Sequence, residues 1–120
     1  GSIGVEEYGL EDKLSEFKQY SGRELGFVLS KNYWGQGIMA EACLAIIDYL
    51  FNDLDLDFIT CGHFERNNQS KRVQEKIGFK PYRKMIFNTR TNSKEPGTLN
   101  LLTNPNKNIT FNFSHPETLI

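Results

Sequence analysis

A pair of glycines between an apolar run and an alanine-rich run is the most chemically suggestive feature of this sequence. Residues 32–42 read NYWGQGIMAEA, so Gly35 and Gly37 come just before a stretch with helical periodicity. A strand that ends in such a turn and opens a helix directs several backbone N–H groups and the positive end of the helix dipole at one point. Phosphate binds at such points, and glycine allows its close approach. The pattern favours a phosphate site, although an isolated Gly-X-Gly is more often only a tight turn.

Two familiar phosphate motifs do not fit these glycines. The sequence contains no G-x-x-x-x-G-K-[ST]. The Gly35-Gln36-Gly37 turn also lacks the third glycine of a dinucleotide-binding turn, and an acidic residue about 20 positions later in the right context. A nucleoside triphosphatase and a dehydrogenase are therefore both disfavoured.

The elements that would position the turn form a strand–helix–strand unit. Residues 24–30 are a mostly apolar run, typical of a strand buried on both faces. After Gly37 the apolar period becomes 3.6 residues, up to an expected end near residues 52–53, and residues 57–64 read as the next strand. This succession predicts an α/β fold with a central βαβ unit. The two neighbouring apolar stripes of the helix are Ile38, Ala42, Ala45 and Tyr49, and Met39, Cys43, Ile46 and Leu50.

A second helix is predicted after the second strand. It should begin with Asn67 or Asn68 as its N-cap and end at Gly78, a residue that readily adopts the left-handed conformation of helix ends. Lys76 suits the negative, C-terminal end of the helix dipole. The side chains expected to face inward are Ser70, Val73 and Ile77.

Weaker signals occupy both ends of the chain. Residues 3–8 read as a short strand, and residues 11–20 as a loop or one weak helical turn. Residues 80–87 and 108–113 are strand candidates, the latter with alternating apolar side chains. Between them we expect a long polar loop that contains Pro96-Gly97.

Length and charge limit the classes of function. The 120 residues suffice for one small domain, and a net charge of -1 provides no basic field for nucleic acid or an anionic membrane. No 18-residue apolar window or export signal is apparent. Cys43 and Cys61 lie in apolar segments and are expected to be buried free thiols, which fits a cytoplasmic location. We therefore expect neither a nucleic-acid partner nor a membrane partner.

Two motifs taken together resemble the GNAT acetyltransferases, with those that act on ribosomal-protein N-termini and similar amines as the nearest branch. The first is ELGFVL at residues 24–29, followed by YWGQGIMAEA at residues 33–42. The second is NNQSKRV at residues 67–73, followed by EKIGF at residues 75–79. Their order and spacing match over roughly residues 3–82, which is far more specific than the glycines alone. The resemblance implies a GNAT-like mixed sheet.

The resemblance also implies a binding site for acetyl-CoA as co-substrate, and no metal. The residues whose backbone would contact the pantetheine arm are Phe27, Val28 and Leu29. The residues whose N–H groups would hold the pyrophosphate are Trp34, Gly35, Gln36, Gly37, Ile38 and Met39. Asn67 and Ser70 would lie beside the pantetheine and the thiol. Trp34 could instead pack under the turn.

The implied reaction is direct attack of a primary amine, from a small molecule or a protein N-terminus, on the thioester carbonyl. It needs a group that removes a proton from the ammonium, and stabilisation of the oxyanion. Glu24 is the candidate catalytic base, because some relatives have a carboxylate on this strand, but it could equally be a surface or strand-pairing glutamate. His63 could also accept a proton, although a lone strand histidine is more often simply packed.

The sequence departs from the family pattern at two side chains. Asn32 stands where glutamine or arginine often precedes the turn, which would weaken side-chain support for the phosphates and leave the backbone donors intact. Gln74 stands where many relatives have a tyrosine that protonates the leaving thiolate. Protonation by a tyrosine is therefore in doubt.

The third departure concerns the N-terminal strands and helices of a GNAT domain, which are missing. We expect residues 1–120 to form a partial domain, with the motifs in residues 3–82 and C-terminal strands and a long loop in residues 83–120. A catalytically inactive CoA-binding fragment and an interaction module are the alternatives. An exposed sheet edge would also permit a homodimer.

Overall fold

Five strands and two α-helices make up the part of the chain that the structure describes. The structure is a computed structural model and describes residues 2–7, 15–28, 37–89 and 91–113. One turn of 3₁₀ helix, Ser15–Phe17, precedes the second strand. The elements in chain order are β1 (Ser2–Glu7), β2 (Gly22–Val28), α1 (Ile38–Asn52), β3 (Phe58–Phe64), α2 (Asn68–Lys76), β4 (Lys80–Asn88) and β5 (Lys94–Thr103).

The strands form one mixed sheet in the order β1-β2-β3-β5-β4. β2 and β3 run parallel, since α1 carries the chain back between them, and the other neighbouring pairs are antiparallel. The predicted α/β fold with a mixed sheet and a central βαβ unit is confirmed. None of the helices in the described segments is long and apolar enough to cross a membrane.

A separate apolar cluster packs on each face of the sheet. The helical face buries side chains of α1 together with residues of β2 and β3 such as Leu25 and Ile59. The opposite face is aromatic and includes Phe17 and Phe58, whose ring centroids lie 4.8 Å apart. Both helices therefore lie on one side of the sheet, and any site formed by their ends belongs to that side.

The apolar face of α1 differs from the expected one. Ile38 and Tyr49 are 48% and 51% exposed, so the first expected stripe points away from the sheet. The helix instead packs through the second stripe and through Ile47 and Phe51 next to it. The buried residues of α1 are Met39, Ala40, Cys43, Ile47, Leu50 and Phe51.

The C-terminal prediction was wrong in two respects. Residues 94–103, expected as part of a long loop, form β5, which lies between β3 and β4. Residues 108–113, expected as a strand, form no regular element; Phe111 and Phe113 pack against Tyr82 as a cover over the aromatic cluster. The first half of β5, residues 94–98, is polar and is therefore typical of a loop. The second half is more apolar, and its Leu99 and Leu101 are fully buried.

The expectation that β2 is buried on both faces was also wrong. Leu25 is 1% exposed on the helical face, whereas Gly26 is exposed, and no atom of the described residues lies near the position that its Cβ would take. β2 is therefore covered on only one side at this point. Its expected last residues, 29 and 30, lie outside the described residues.

Candidate functional site

β2 and β3 separate after three paired residues. The parallel pairing ends with Glu24 opposite Thr60. Beyond that point β2 continues along β1 as far as Val28, and β3 continues along β5 as far as Phe64. The two central strands therefore diverge, and their facing main-chain groups are left without the ladder that a continuous sheet would provide. An extended ligand can enter such a gap and bind the strand backbone as an added strand would.

Among the residues that the structure describes, no side chain caps the start of α1. Gly37 is the N-cap residue with φ 75°. The first helical bond runs from the N–H of Glu41 to the carbonyl of Gly37 at 3.0 Å, so the N–H groups of Ile38, Met39 and Ala40 have no acceptor within the helix. Glycine suits the left-handed φ, and N–H groups at a helix start can bind an anion. Leu29, Trp34, Gly35 and Gln36 lie outside the described residues.

Lys76 brings a cation to this same place. Its Nζ lies 3.9 Å from the position that a Cβ on Gly37 would take. Both the ammonium and the start of α1 are positive, and their approach becomes favourable when an anion lies between or beside them. The sequence had associated Lys76 only with the dipole of α2, because nothing in the local pattern connects it to Gly37.

α2 begins and ends as predicted. Asn67 is the N-cap, and its Oδ1 accepts a hydrogen bond of 3.0 Å from the N–H of Ser70. Gly78, at φ 107°, follows the end of the helix. The cap occupies the side-chain carbonyl of Asn67, which leaves its amide Nδ2 as the group that a ligand could meet.

A chain of buried hydrogen bonds lies beneath α2. Gln74, 1% exposed, donates through Nε2 to the carbonyl of Gly62 and to Ser70 Oγ, both at 2.9 Å. Its Oε1 accepts from Asn100 Nδ2 at 2.6 Å, and the same nitrogen lies 2.9 Å from His63 Nδ1. The network therefore connects α2 with β3 and β5, and sequence reasoning had identified neither Gln74 nor Asn100 as a part of it.

The direction of these hydrogen bonds follows from the carbonyl of Gly62. A carbonyl only accepts, so the Gln74 atom beside it must be nitrogen, and Gln74 Oε1 must then face Asn100. The Asn100 atom between Gln74 and His63 is consequently a donor to both, so His63 Nδ1 is the acceptor. A neutral His63 therefore carries its proton on Nε2.

His63 is poorly suited to serve as a base. Burial lowers the pKa of its imidazole below the ordinary 6.5, and the charge of Lys71 lowers the pKa further, while Glu75 and Glu65 oppose the shift. The lone pair of the neutral ring is engaged by Asn100. His63 is thus a neutral hydrogen-bond donor through Nε2.

Glu24 lies at the apex of the gap between β2 and β3. Its side chain is half-buried, and its negative charge is one reason why the pKa of Cys61 is raised, after burial and the neighbouring Cys43. Thr60, opposite Glu24, is fully buried, and its Oγ1 has no hydrogen-bond partner among the described residues. Carboxylate and hydroxyl together give the apex a polar character that a ligand or a water molecule could satisfy.

Both cysteines are buried and free, as expected. Burial raises the pKa of Cys43 to about 11 and that of Cys61 further. Both thiols therefore stay protonated at neutral pH, and a protonated, buried thiol is a poor nucleophile.

A comparison with known families assigns the chain to one of them. The family model described as "Acetyltransferase (GNAT) domain" matches residues 1–80 of the 120. The matched region contains the gap between β2 and β3, the start of α1 and all of α2. The chain belongs to the GNAT acetyltransferase family.

Individual relatives agree with this assignment. The curated protein "Probable N-acetyltransferase YjcK" of Bacillus subtilis (strain 168) is 46% identical over 55 residues, which is 46% of this chain and 30% of that protein. The crystal structure of ribosomal-protein-S5-alanine acetyltransferase from Vibrio fischeri has a TM-score of 0.64 and 27% identity, over 70% of this chain and 46% of that chain. A GNAT-family acetyltransferase from Bacillus anthracis shares the fold, with a TM-score of 0.66 and 24% identity, over 85% of this chain and 57% of that chain. The chain is thus similar to the ribosomal-protein branch, and it spans less than two thirds of each of these proteins.

Proposed function

We propose that residues 1–120 form the acetyl-CoA-binding part of an N-acetyltransferase, which moves an acetyl group from acetyl-CoA to a primary amine by direct attack. The observation that carries the proposal is the divergence of β2 and β3 next to the uncapped start of α1. The gap suits the extended, amide-containing pantetheine arm, and the helix start suits the diphosphate. In this proposal residues 3–82 hold the motifs, and residues 83–120 supply β5 and the aromatic cover.

The cofactor contacts are proposed position by position. The backbone of Phe27, Val28 and Leu29 would bind the pantetheine arm from the β2 side of the gap. The N–H groups from Trp34 through Met39 would hold the pyrophosphate, assisted by the ammonium of Lys76 near Gly37. Two of these N–H groups, on Ile38 and Met39, belong to the uncapped first turn of α1, which supports the assignment.

The thiol end of the cofactor would lie beside Asn67 and Ser70. Ser70 Oγ accepts a hydrogen bond from Gln74, so the hydrogen of the serine hydroxyl is left to donate to another group. We propose that this hydrogen points to the sulfur of CoA and stabilises the leaving thiolate. Gln74 would then orient a serine donor, in place of the tyrosine that many relatives have at its position.

The buried thiols support direct attack over an acyl-enzyme route. A covalent route through cysteine needs an accessible thiolate, and both cysteines are buried with raised pKa values. Two reduced thiols also agree with the expected cytoplasmic location. The proton of the attacking ammonium would pass to Glu24 at the apex of the gap, directly or through a water molecule bound to Thr60 Oγ1.

The acceptor is proposed as a primary amine, carried by a small molecule or by a protein N-terminus. The Vibrio fischeri relative is a ribosomal-protein-S5-alanine acetyltransferase, and likeness to it favours a protein N-terminus. β1 forms one edge of the described sheet and pairs only with β2 there, so a homodimer through this edge is part of the proposal.

Calorimetry of the chain with CoA tests the binding proposal. We expect saturable binding in the wild type and its loss in Gly37→Val, because a β-branched residue is strained at φ 75° and its side chain would obstruct the approach of phosphate. Gly4→Ala on β1 is the control, since no atom of the described residues lies near the position of its Cβ, and it should bind CoA as the wild type does. Wild-type affinity in Gly37→Val would contradict the placement of the diphosphate.

Turnover distinguishes the proposed enzyme from the alternative of an inactive CoA-binding fragment. Acetyl-CoA is incubated with the chain and a panel of primary amines, and release of free thiol is followed. Release that depends on the amine supports the transferase, whereas CoA binding without release favours the fragment. Absence of CoA binding even at about millimolar ligand would remove both and favour an interaction module.

A further inference from the structure

A cavity of about 300 Å³ lies on the flank of α2 that faces away from α1. Lys71 and Glu75 of α2 line the cavity. The flank of α2 that faces α1 carries Val73, which packs in the apolar cluster on the helical face, and Lys76, which reaches Gly37. Residues of β3, β4 and β5 close the other sides. The cavity is therefore separated by the helix from the gap between β2 and β3, and no step of the proposed transfer uses it.

His63 presents a hydrogen-bond donor to this cavity. His63 is 9% exposed, and its Nδ1 is engaged by Asn100, which leaves the hydrogen on Nε2. Among the described residues Nε2 has no hydrogen-bond partner, although the ring lines the cavity. A ligand atom that accepts a hydrogen bond can therefore take the place of water at Nε2.

The rim of the cavity carries two positive and two negative charges. Lys71 pairs with Glu75 at 3.9 Å and Lys84 with Glu65 at 3.4 Å, and all four side chains are about half exposed. Ion pairs of this length and exposure contribute little to the stability of the fold. Their side chains can therefore rearrange around a ligand at small cost in free energy. A ligand with a single charge would be repelled by the two rim side chains of its own sign, whereas a ligand with both charges can place each of them near rim side chains of the opposite sign.

We propose that this cavity binds a small zwitterion of the α-amino-acid type. Its carboxylate accepts a hydrogen bond from His63 Nε2 and lies near the ammonium of Lys71 or Lys84, while its own ammonium meets Glu65 or Glu75. The volume is at the lower end of small-molecule sites, which suits a single amino acid or a dipeptide. A hydrogen bond to an ionised carboxylate is stronger than one between neutral groups. The contact of the carboxylate with His63 therefore contributes most of the binding free energy.

Nuclear magnetic resonance of the histidine rings tests the proposal on the chain as it stands. The chain has two histidines, His63 and His115, so the ring signals can be assigned by substitution of His115. We expect L-alanine to shift the Nε2 signal of His63 saturably at millimolar concentration. Alanine methyl ester, which lacks the carboxylate, and N-acetylalanine, which lacks the ammonium, should each bind about tenfold more weakly, as expected for the loss of about 1.4 kcal/mol. The dipeptide Ala-Ala is compared with L-alanine to decide whether the preferred ligand is a free amino acid or a peptide.

Surface variants keep the test independent of folding. Lys84→Gln and Glu65→Gln should each weaken the binding of L-alanine several-fold, while Arg66→Gln, which removes an exposed ion pair with Glu95 outside the cavity, should leave the binding unchanged. No shift of His63 up to about 10 mM L-alanine would overturn the proposal. Equal binding of L-alanine, its ester and acetate would overturn it too, since the two charges would then play no part. CoA binding, measured separately in each variant, is expected to be unchanged.

Discussion

Gln74 Nε2 donates a hydrogen bond of 2.9 Å to Ser70 Oγ, one turn earlier on α2. The same nitrogen holds the carbonyl of Gly62 on β3, so one amide joins the helix to the strand below it. Two consequences follow: the orientation of the serine hydroxyl depends on Gln74, and so does the stability of the contact between α2 and the sheet.

Replacement of Gln74 should destabilise the fold. Gln74→Leu removes two donated hydrogen bonds and leaves Asn100 Nδ2 with an unpaired hydrogen, and each unsatisfied buried group costs about 1–3 kcal/mol. We expect a loss of about 2–4 kcal/mol in the free energy of unfolding, measured by urea denaturation. Arg72→Leu, at an exposed position of the same helix, should change it by less than about 0.5 kcal/mol. Equal stabilities of the two variants would show that the network does not hold α2.

Replacement of Lys76 should weaken CoA binding without abolishing it. The ammonium of Lys76 adds one charge beside the start of α1, and one charge at an exposed helix end is worth about 0.3–1 kcal/mol. Lys76→Gln should therefore raise the Kd for CoA about two- to fivefold at low salt, and the salt dependence of the Kd should become shallower. Lys80→Gln, also exposed and at the start of β4, serves as the control. Identical salt dependence in the wild type and Lys76→Gln would exclude a contact with phosphate.

The protonation of His63 should make stability depend on pH. Its folded pKa lies below the ordinary 6.5, so below pH 6.5 the unfolded chain binds more protons than the folded chain. The contribution of neutral His63 to the free energy of unfolding is complete above about pH 6.5. This contribution is lost as the pH falls through the folded pKa of His63. The charges that face the ring are Lys71, Glu75 and Glu65. Urea denaturation between about pH 7.5 and pH 5 should show a falling free energy of unfolding, and the fall should be smaller in His63→Gln. The same dependence on pH in the wild type and His63→Gln would assign the fall to other groups.

Introduction of a side chain at Gly97 should disturb the centre of the sheet. A Cβ at this position would collide with the carbonyl oxygen of His63 and with the ring of Phe87. Because a backbone atom cannot move aside as a side chain does, Gly97→Ala should lower the free energy of unfolding by about 1–3 kcal/mol. Gly4→Ala is the matched control in open space. A Gly97→Ala chain as stable as Gly4→Ala would contradict the close pairing of β3 with β5.

Replacement of Glu24 tests the proposed base. Glu24→Gln should reduce the rate of amine-dependent thiol release by about 10²–10⁴-fold, the usual contribution of general base catalysis. The acidic limb of the pH–rate profile should disappear with the carboxylate, and CoA affinity should stay within about twofold of the wild type. Glu24→Asp, which keeps the carboxylate, should recover part of the rate. A variant that retains both the rate and the acidic limb would show that another group takes the proton.

Local features of the site could be predicted because they depend on neighbouring residues. Asn67 caps α2 through a hydrogen bond to the residue three positions later, and Gly37 and Gly78 adopt the positive φ that glycine tolerates. The strand–helix–strand unit follows from a change of apolar period within about 40 residues. The role of each residue around a ligand stays a prediction, since it depends on atoms beyond the chain itself.

Non-local features could not be predicted in the same way. β5 lies between β3 and β4 although it follows both in the chain, and its polar first half resembled a loop until Leu99 and Leu101 were buried by pairing on both sides. The orientation of α1 was likewise decided by packing on the sheet, which buries Ile47 and Phe51 and leaves Ile38 and Tyr49 exposed.

The sequence by itself determined the turn, the helix ends and the family motifs, because short-range backbone preferences and spacing specify them. Only the tertiary structure decided that Lys76 meets Gly37 and that Gln74, Asn100 and His63 form one network. Asn100 lies 26 residues from Gln74 and 37 from His63, and contacts across such separations arise from sheet pairing and helix packing. Their geometry depends on the balance of burial and hydrogen bonding over the whole domain, which no local pattern contains.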